Sequence, residues 1–425
     1  MLFLYFLLLF HPSDQGDAQA QAAHPEAAPV QSAPSLEDLI AEALARSPSL
    51  QALEENIKAA REMISPAGAL PNPMAETMLQ NIGFPRLTIG KEEMSMLNLS
   101  LRQNLPYPGK REARRKTAEA ESVIAEREYE ILKRMLVEDL RRMWAELYTI
   151  DNETASLAAA RELLDLLAAT ASSRYASGQT EQEALIKAQM MILKIGAQRE
   201  ELEAMRKKTA AAINRILDRP GGESLGTVGE LPELPVPDGS WTEAALLHSP
   251  EIAMKKAWIA LAERRLKIAE LDVLPDFGAA TGYGFREGLY PVVTLGFSVE
   301  IPFWRKEKQK PMIRAAGHEL EMARFDLKAA EAQARSAVAA LTADVERYDR
   351  QIVRYSDGIL PQTSRAMDAA LASYISGKGD FSTVVEDFML WLDARVELAR
   401  QRAGKFSALA AVSSLTTPAE NETED

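Results

Sequence analysis

The longest uninterrupted hydrophobic pattern runs from Lys110 to Ala176. Tyr129, Leu132, Leu136, Leu140, Met143, Leu147 and Ile150, then Leu157, Leu164 and Leu167, fall on one helical stripe. No Pro or Gly lies between Gly109 and Gly178. At 1.5 Å per residue, roughly 67 helical residues reach about 100 Å. That is far longer than the roughly 30 Å hydrocarbon core of a bilayer, and the other helix face is charged. The pattern predicts a rod that crosses an aqueous space, packed lengthwise on other helices.

Before the rod, Ser35-Leu36-Glu37-Asp38 resembles a capping box and opens a helix with Leu36, Leu39, Ile40 and Leu44 on one face. Ser47-Pro48 interrupts, and a second helix runs from about Ser49 to Ile64. Pro66, Gly68, Pro71 and Pro73 argue against further helix. The period then changes to two. Leu97, Leu99 and Leu101 alternate with Asn98, Ser100 and Arg102, which predicts a strand over residues 94–105 with a weaker partner over 74–83. After the rod, Tyr175-Ala176-Ser177-Gly178-Gln179-Thr180 reads as a tight reversal into a return helix from Glu181 to Leu217. Residues 218–239 are crowded with Pro and Gly and read as a linker.

The second half of the chain repeats the first. Ser249-Pro250 echoes Ser47-Pro48, Leu274-Pro275 echoes Leu70-Pro71, Ile301-Pro302-Phe303 echoes Leu105-Pro106-Tyr107, and Tyr374-Ile375-Ser376-Gly377 echoes the first turn. The offset stays near about 200 residues, which marks an internal duplication. The repeats span 35–217 and 240–412, followed by a polar tail over 413–425. In the second copy, strands over 276–286 and 292–301 alternate more clearly, and a second long helix covers 306–374. Pro311, Gly358 and Pro361 make it less regular than its twin. Each second-copy strand has about the length that a tilted membrane strand requires.

Four strands cannot close a barrel, and an open sheet edge cannot sit in lipid. A soluble sheet packed on a helix is one reading. The other is a barrel shared among chains, where three copies give twelve strands, within the range of small outer-membrane barrels. The run Met1–Phe10 is almost wholly apolar and too short to span a membrane as a helix. With the small residues after it, residues 1–20 read as a secretory signal peptide, although no Lys or Arg precedes the apolar run. Residues 21–34 read as a flexible leader. This segment tilts the balance toward the membrane.

Composition excludes several classes. The 425 residues are 47% hydrophobic, 26% charged and 6% aromatic, with net charge −13. That argues against a nucleic-acid binder and against an acidic disordered chain. With no Cys, there is no disulfide and no Cys-ligated metal. His11, His24, His248 and His318 have no ligand spacing. No acid–base pair or nucleophile arrangement asks for an active site, so we expect no enzyme, no cofactor and no resident metal. Met74, Met78, Met94 and Met96 share parity within their strands; thioethers suit Cu(I), but Met more often serves as flexible apolar filler. Basic clusters follow each hairpin: Lys110, Arg111, Arg114, Arg115 and Lys116, then Arg305, Lys306, Lys308, Lys310 and Arg314. Positive charge at a helix N-terminus opposes the macrodipole, so helix stability does not explain them. Contact with lipid phosphates would, as would solvation with pairing to Glu112 and Glu119.

The duplicated helix–hairpin–helix plan resembles the TolC-type outer membrane efflux protein family. The carrying segments are Leu105-Pro106-Tyr107-Pro108-Gly109-Lys110, the two Tyr-x-x-Gly turns, Leu185-Ile186-Lys187-Ala188-Gln189 and Ile359-Leu360-Pro361-Gln362. Leu105–Arg111 is also similar to the heavy-metal branch of CusC- and CzcC-like members. The resemblance implies a mainly α chain with a small membrane β part. Three copies would form a shared β-barrel in the outer membrane and an α-barrel across the periplasm. Such a homotrimer is a passive exit duct, served by a periplasmic adaptor and a proton-driven inner-membrane pump, which selects the substrate. The turns imply a periplasmic tip where the adaptor docks, formed here by Tyr175, Gly178, Gln179 and Thr180, then Tyr374, Gly377, Lys378 and Gly379. The family often has Leu after this Gly, so Gln179 and Lys378 leave the choice of adaptor open. Glu386 and Asp387 resemble the acidic ring at the tunnel entrance, and a solvated acidic face is the alternative. A periplasmic coiled-coil adaptor or scaffold is the competing function.

Overall fold

The structure, a computed structural model, describes residues 34–83, 85, 89, 91–177, 182–234 and 239–418. The expected signal peptide, the expected leader up to residue 33, the turn residues Gly178, Gln179 and Thr180, and the end of the expected tail lie outside the described residues.

The helix–hairpin–helix plan is traversed twice. Helices α1 (Leu36–Arg46), α2 (Pro48–Glu62) and α3 (Ile64–Gly68) lead to strands β1 (Met74–Gln80) and β2 (Met96–Leu105), then to α4 (Lys110–Ala176) and α5 (Gln182–Ile216). Helices α6 (Trp241–His248) and α7 (Pro250–Leu271) lead to β3 (Asp276–Phe285) and β4 (Val292–Glu300), then to α8 (Gln309–Val353), a π-helical segment (Arg354–Ile359), α9 (Leu360–Ile375) and α10 (Phe381–Thr416). None of the described helices is long and apolar enough to cross a membrane.

Local chemistry sets these limits. Ser35 caps α1 by accepting from the Asp38 N–H at 3.1 Å. Pro66 sits inside α3, where helix had not been expected; it occupies the first turn, whose N–H groups have no intrahelical partner to lose. Strand β1 stops at Gln80, short of the expected 83, because Asn81 takes a left-handed φ of 51°. The second long helix begins only at Gln309 and breaks into π geometry around Gly358, just before Pro361. Helix α10 continues into the expected tail as far as Thr416, whose hydroxyl bonds back to the Val412 carbonyl at 2.7 Å.

The stripe of α4 is the spine of the core. Leu136, Leu140, Trp144 and Leu147 pack with Leu39 and Leu50 of the first helices, Ile213 of α5 and Phe406 of α10. Nearer the turn end, Leu157, Leu164 and Leu167 pack with Ile195 of α5, Tyr374 of α9 and Phe388 of α10. The linker is not a free connector. Leu225 and Val228 are buried in the first of these clusters. Asp151 of α4 accepts from the Val228 N–H at 2.9 Å and from Arg206 Nε at 2.7 Å, strapping the segment to both helices.

Candidate functional site

The four strands form one antiparallel sheet in the order β1-β2-β3-β4. Its register sorts the two faces. Leu97 lies between Leu79 and Phe285, Leu99 between Thr77 and Tyr283, and Leu105 beside Phe277. Thr281 lies opposite Leu295, Ala279 opposite Phe297, and Phe277 opposite Val299. This face is mostly apolar, interrupted by Thr77, Gln103 and Thr281, and its outer part is uncovered, with Leu295 75% and Phe297 89% exposed. The other face carries Glu76, Ser100, Gly282 and Thr294 in one row, and Asn104, Gly278 and Ser298 in another. Met74, Met78 and Met96 share that polar face, where Met78 and Met96 are diagonal neighbours. Met94 lies before β2 and is exposed. Strands β1 and β4 are both open edges.

At the sheet–helix junction the two basic clusters differ. Lys110 is buried, and its Nζ lies 2.9 Å from Asp276 Oδ1, 3.7 Å from Asp272 Oδ1 and 3.0 Å from the Leu274 carbonyl. It therefore joins the start of α4 to the end of α7 and to β3, and is not available to a lipid phosphate, one of the two roles expected for it; it is paired, but with Asp272 and Asp276 rather than Glu112 and Glu119. Arg111 donates to the Gly68 carbonyl at 2.8 Å, and Arg115 pairs with Glu112 at 2.8 Å and Glu119 at 3.2 Å. Arg114 is exposed. In the second cluster Arg305, Lys306, Lys308 and Lys310 are all exposed and form no ion pair among the described residues. Phe303 and Trp304 beside them are 81% and 74% exposed; sequence reading missed them, although Phe-Trp directly before a basic run is the signal of an interfacial anchor.

At the far end, the two tyrosines of the turns occupy different environments. Tyr374 is 2% exposed and Tyr175 47%. Tyr374 meets Phe381 edge-on at 5.8 Å between centroids. The second turn is a Schellman closure, in which Gly377 N–H donates to the Tyr374 carbonyl at 3.1 Å and Lys378 N–H to the Ser373 carbonyl at 3.0 Å. Gly377 has φ +81°, which a side chain would strain. Gly379 N–H adds a bond to the same Ser373 carbonyl at 3.0 Å. The Lys378 side chain is exposed. Asp380 then caps α10 through the Ser382 N–H at 2.9 Å. Glu386 is exposed and Asp387 half-buried in the second turn of α10. Neither contacts a basic partner among the described residues.

Among the described residues, no group of three or more His, Cys, Asp or Glu side chains is placed to hold a metal ion. The grooves along the helices are open and mixed in character. One of about 560 Å³ lies beside the π-helical segment, lined by Tyr355, Thr363, Asp393 and Arg400.

The family model for outer membrane efflux proteins matches residues 39–218, a span that covers most of the first repeat and ends at the first residue of the linker. No curated protein matches by sequence. Among solved structures, a membrane protein from Pseudomonas aeruginosa superposes with a TM-score of 0.80 at 15% identity, over 91% of this chain and 91% of that one. The outer membrane protein VceC from Vibrio cholerae gives 0.75 at 17% identity, over 90% and 96%. CusC gives 0.76 at 13% identity, over 90% and 92%. The similarity extends through the second repeat, to which the sequence match does not reach. Through residues 39–218 this chain is similar to the outer membrane efflux protein family, and its fold over both repeats is that of the solved structures on which it superposes.

Proposed function

We propose that this chain is the outer-membrane channel subunit of a tripartite efflux system, a passive exit duct that performs no catalysis. One observation carries the reading: a four-stranded sheet with one exposed apolar face, one polar face and two open edges. Lipid on the apolar face and neighbouring copies on the edges satisfy all three features at once. Three copies give a twelve-stranded barrel with the polar face inward. The α4 rod, about 100 Å long, then carries the tunnel across the periplasm to the turns near Tyr175 and Tyr374. A periplasmic adaptor docks at these turns, and a proton-driven inner-membrane pump supplies the substrate. The coiled-coil adaptor alternative leaves the apolar sheet face without a partner.

Glu386, with Asp387 beside it, forms the acidic ring at the tunnel entrance in this reading, because a three-fold axis repeats each carboxylate around the pore. The fold does not choose the substrate. The deciding experiment is fractionation. A heat-dissociable trimer in the outer-membrane fraction supports the channel, and a soluble monomer overturns it. A deletion strain challenged with copper, silver, zinc, cobalt and a drug panel then assigns the substrate, and unchanged cation block in Glu386→Gln channels removes the ring assignment.

A further inference from the structure

The two hairpins of the sheet repeat each other residue for residue. Leu70-Pro71 matches Leu274-Pro275 before the first strand of each, and Leu105-Pro106 matches Ile301-Pro302 after the second. Under these matches Met74 opposite Arg102 corresponds to Gly278 opposite Ser298, and Leu79 opposite Leu97 to Tyr283 opposite Val293. Both pairings occur in the sheet. The chain therefore holds one complete junction between repeats, where β2 meets β3, and the two halves of another, the open edges of β4 and β1.

The complete junction is closed by a charge. Lys110 Nζ lies 2.9 Å from Asp276 Oδ1 and 3.0 Å from the Leu274 carbonyl. Gln309 opens α8 as Lys110 opens α4, and it stands as far before Tyr374 as Lys110 stands before Tyr175. Gln309 is 9% exposed, and its Oε1 is buried with no hydrogen-bond partner among the described residues. A buried acceptor left this way costs free energy until a donor reaches it. The residues that match Leu274 and Asp276 are Leu70 and Asn72. Asn72 is exposed just before β1, at the opposite edge of the sheet from β4 and Gln309. The two amides can meet only between copies.

We propose that β4 of one copy pairs with β1 of the next in the register of β2 on β3, and that Gln309 latches this seam to Asn72 of the partner subunit. Leu99 opposite Tyr283 and Arg102 opposite Ala280 become Leu295 opposite the partner's Leu79 and Ser298 opposite the partner's Glu76. Gln309 Oε1 accepts from the amide of the partner's Asn72, and its amide nitrogen donates to the carbonyl of the partner's Leu70. The two faces alone do not fix this register, because a slip of two residues keeps every side chain on its face. The latch fixes it. An ion pair suits the internal junction and an amide pair the seam, since joining separate chains would strip water from both charges. The seam rests on the channel reading, in which head-to-tail edges close into a ring.

The chain has no native Cys, so engineered pairs in the full-length protein report the seam directly. Opposite pairs on the two faces alternate between close and wide spacing, and one pair is placed on each face. Oxidation should link chains through Ser298→Cys with Glu76→Cys or through Leu295→Cys with Leu79→Cys. The slipped pairs, Ser298→Cys with Met78→Cys and Leu295→Cys with Thr77→Cys, should stay unlinked. Preferential linking of a slipped pair, or no link through either opposite pair in an assembled trimer, overturns the register. Gln309→Ala should lower the temperature at which the trimer dissociates, Asn72→Ala should lower it less, and the double variant should fall no further than Gln309→Ala. Additive losses, or no loss in Gln309→Ala, overturn the latch. Absence of any trimer from the outer-membrane fraction counts against the channel itself, whereas a trimer linked in another register counts against this seam alone.

Discussion

The guanidinium of Arg174 lies 4.7 Å from the ring centroid of Tyr374, and its Nη2 donates to the Ile375 carbonyl at 3.0 Å. The end of the first long helix is thereby tied to the end of the second. The tie is specific, because Tyr374 is also held by Phe381 and buried deeply enough that desolvation keeps its hydroxyl above its ordinary pKa. Arg174→Ala removes the cation–π contact and a charge-assisted hydrogen bond, together about 1–2 kcal/mol. Hydrogen exchange at residues 374–378 should speed up about tenfold, while the sheet is unaffected. If the tip closes the tunnel at rest, single-channel conductance rises as well. Unaltered exchange at these amides would show that the tie holds nothing.

Asp151 offers a second tie, between α4, α5 and the strap over 218–234. Its buried carboxylate takes hydrogen bonds from Arg206 and from Val228 N–H, while Arg206 also donates to the Gly226 carbonyl. Asp151→Ala leaves a cation and a backbone donor unpaired, at a cost of about 3–5 kcal/mol. Limited proteolysis should then cut within the strap before any helix is cleaved. Asp151→Asn keeps an acceptor and should fall between the variant and the wild type.

Glu42 and Arg219 make stability depend on acid. Arg219 donates to both oxygens of Glu42, with Nε at 2.8 Å, and this hydrogen bonding holds the Glu42 carboxyl below its ordinary value of 4.5 despite partial burial. A carboxyl with a lowered folded pKa stabilises the fold fully above the unfolded value. The contribution is lost as pH falls below about 4.5 and through the lowered folded value. Thermal unfolding between pH 5 and pH 3 should therefore fall more steeply in the wild type than in Glu42→Gln. Parallel curves would remove Glu42 as the source.

These residues show what the sequence made legible. The bounds of α4 were readable because the segment from Lys110 to Ala176 holds no breaker and carries one stripe. The sheet faces were readable because alternation survives in Leu97, Leu99 and Leu101. The burial of Lys110 was not, since a lysine in a basic run looks solvated until Asp272 and Asp276 arrive from more than 160 positions away. Leu225 and Val228 sit among Pro and Gly, so local composition hid their long-range packing. The unequal roles of Tyr175 and Tyr374 depend on how two distant turns stack, which an internal repeat cannot convey.

Gly404 marks a close approach of α10 to α8. A Cβ there would stand 2.4 Å from the Tyr348 ring, and Tyr348 is itself stacked under Arg347 at 4.0 Å. Gly404→Val should cost about 1–3 kcal/mol through overpacking. Adding Tyr348→Ala should restore part of the loss, which a helix-propensity effect at residue 404 alone would not allow. Thermal dissociation of the four combinations provides the cycle.

The membrane assignment of the sheet can be tested by adjacent residues of β4 whose side chains point to opposite faces. Leu295 lies on the apolar face opposite Thr281, and Thr294 on the polar face opposite Gly282. A lysine on a lipid-facing strand costs about 2–4 kcal/mol near the bilayer midplane, whereas a lumen-facing lysine meets water. Leu295→Lys should therefore reduce the heat-dissociable trimer recovered from the outer membrane, while Thr294→Lys assembles and shifts ion selectivity toward anions. A soluble sheet packed on a helix predicts the reverse dependence on context, since the uncovered face would then be the wet one. Equal assembly of both variants would show that the apolar face does not meet lipid, and the barrel reading would fall with it.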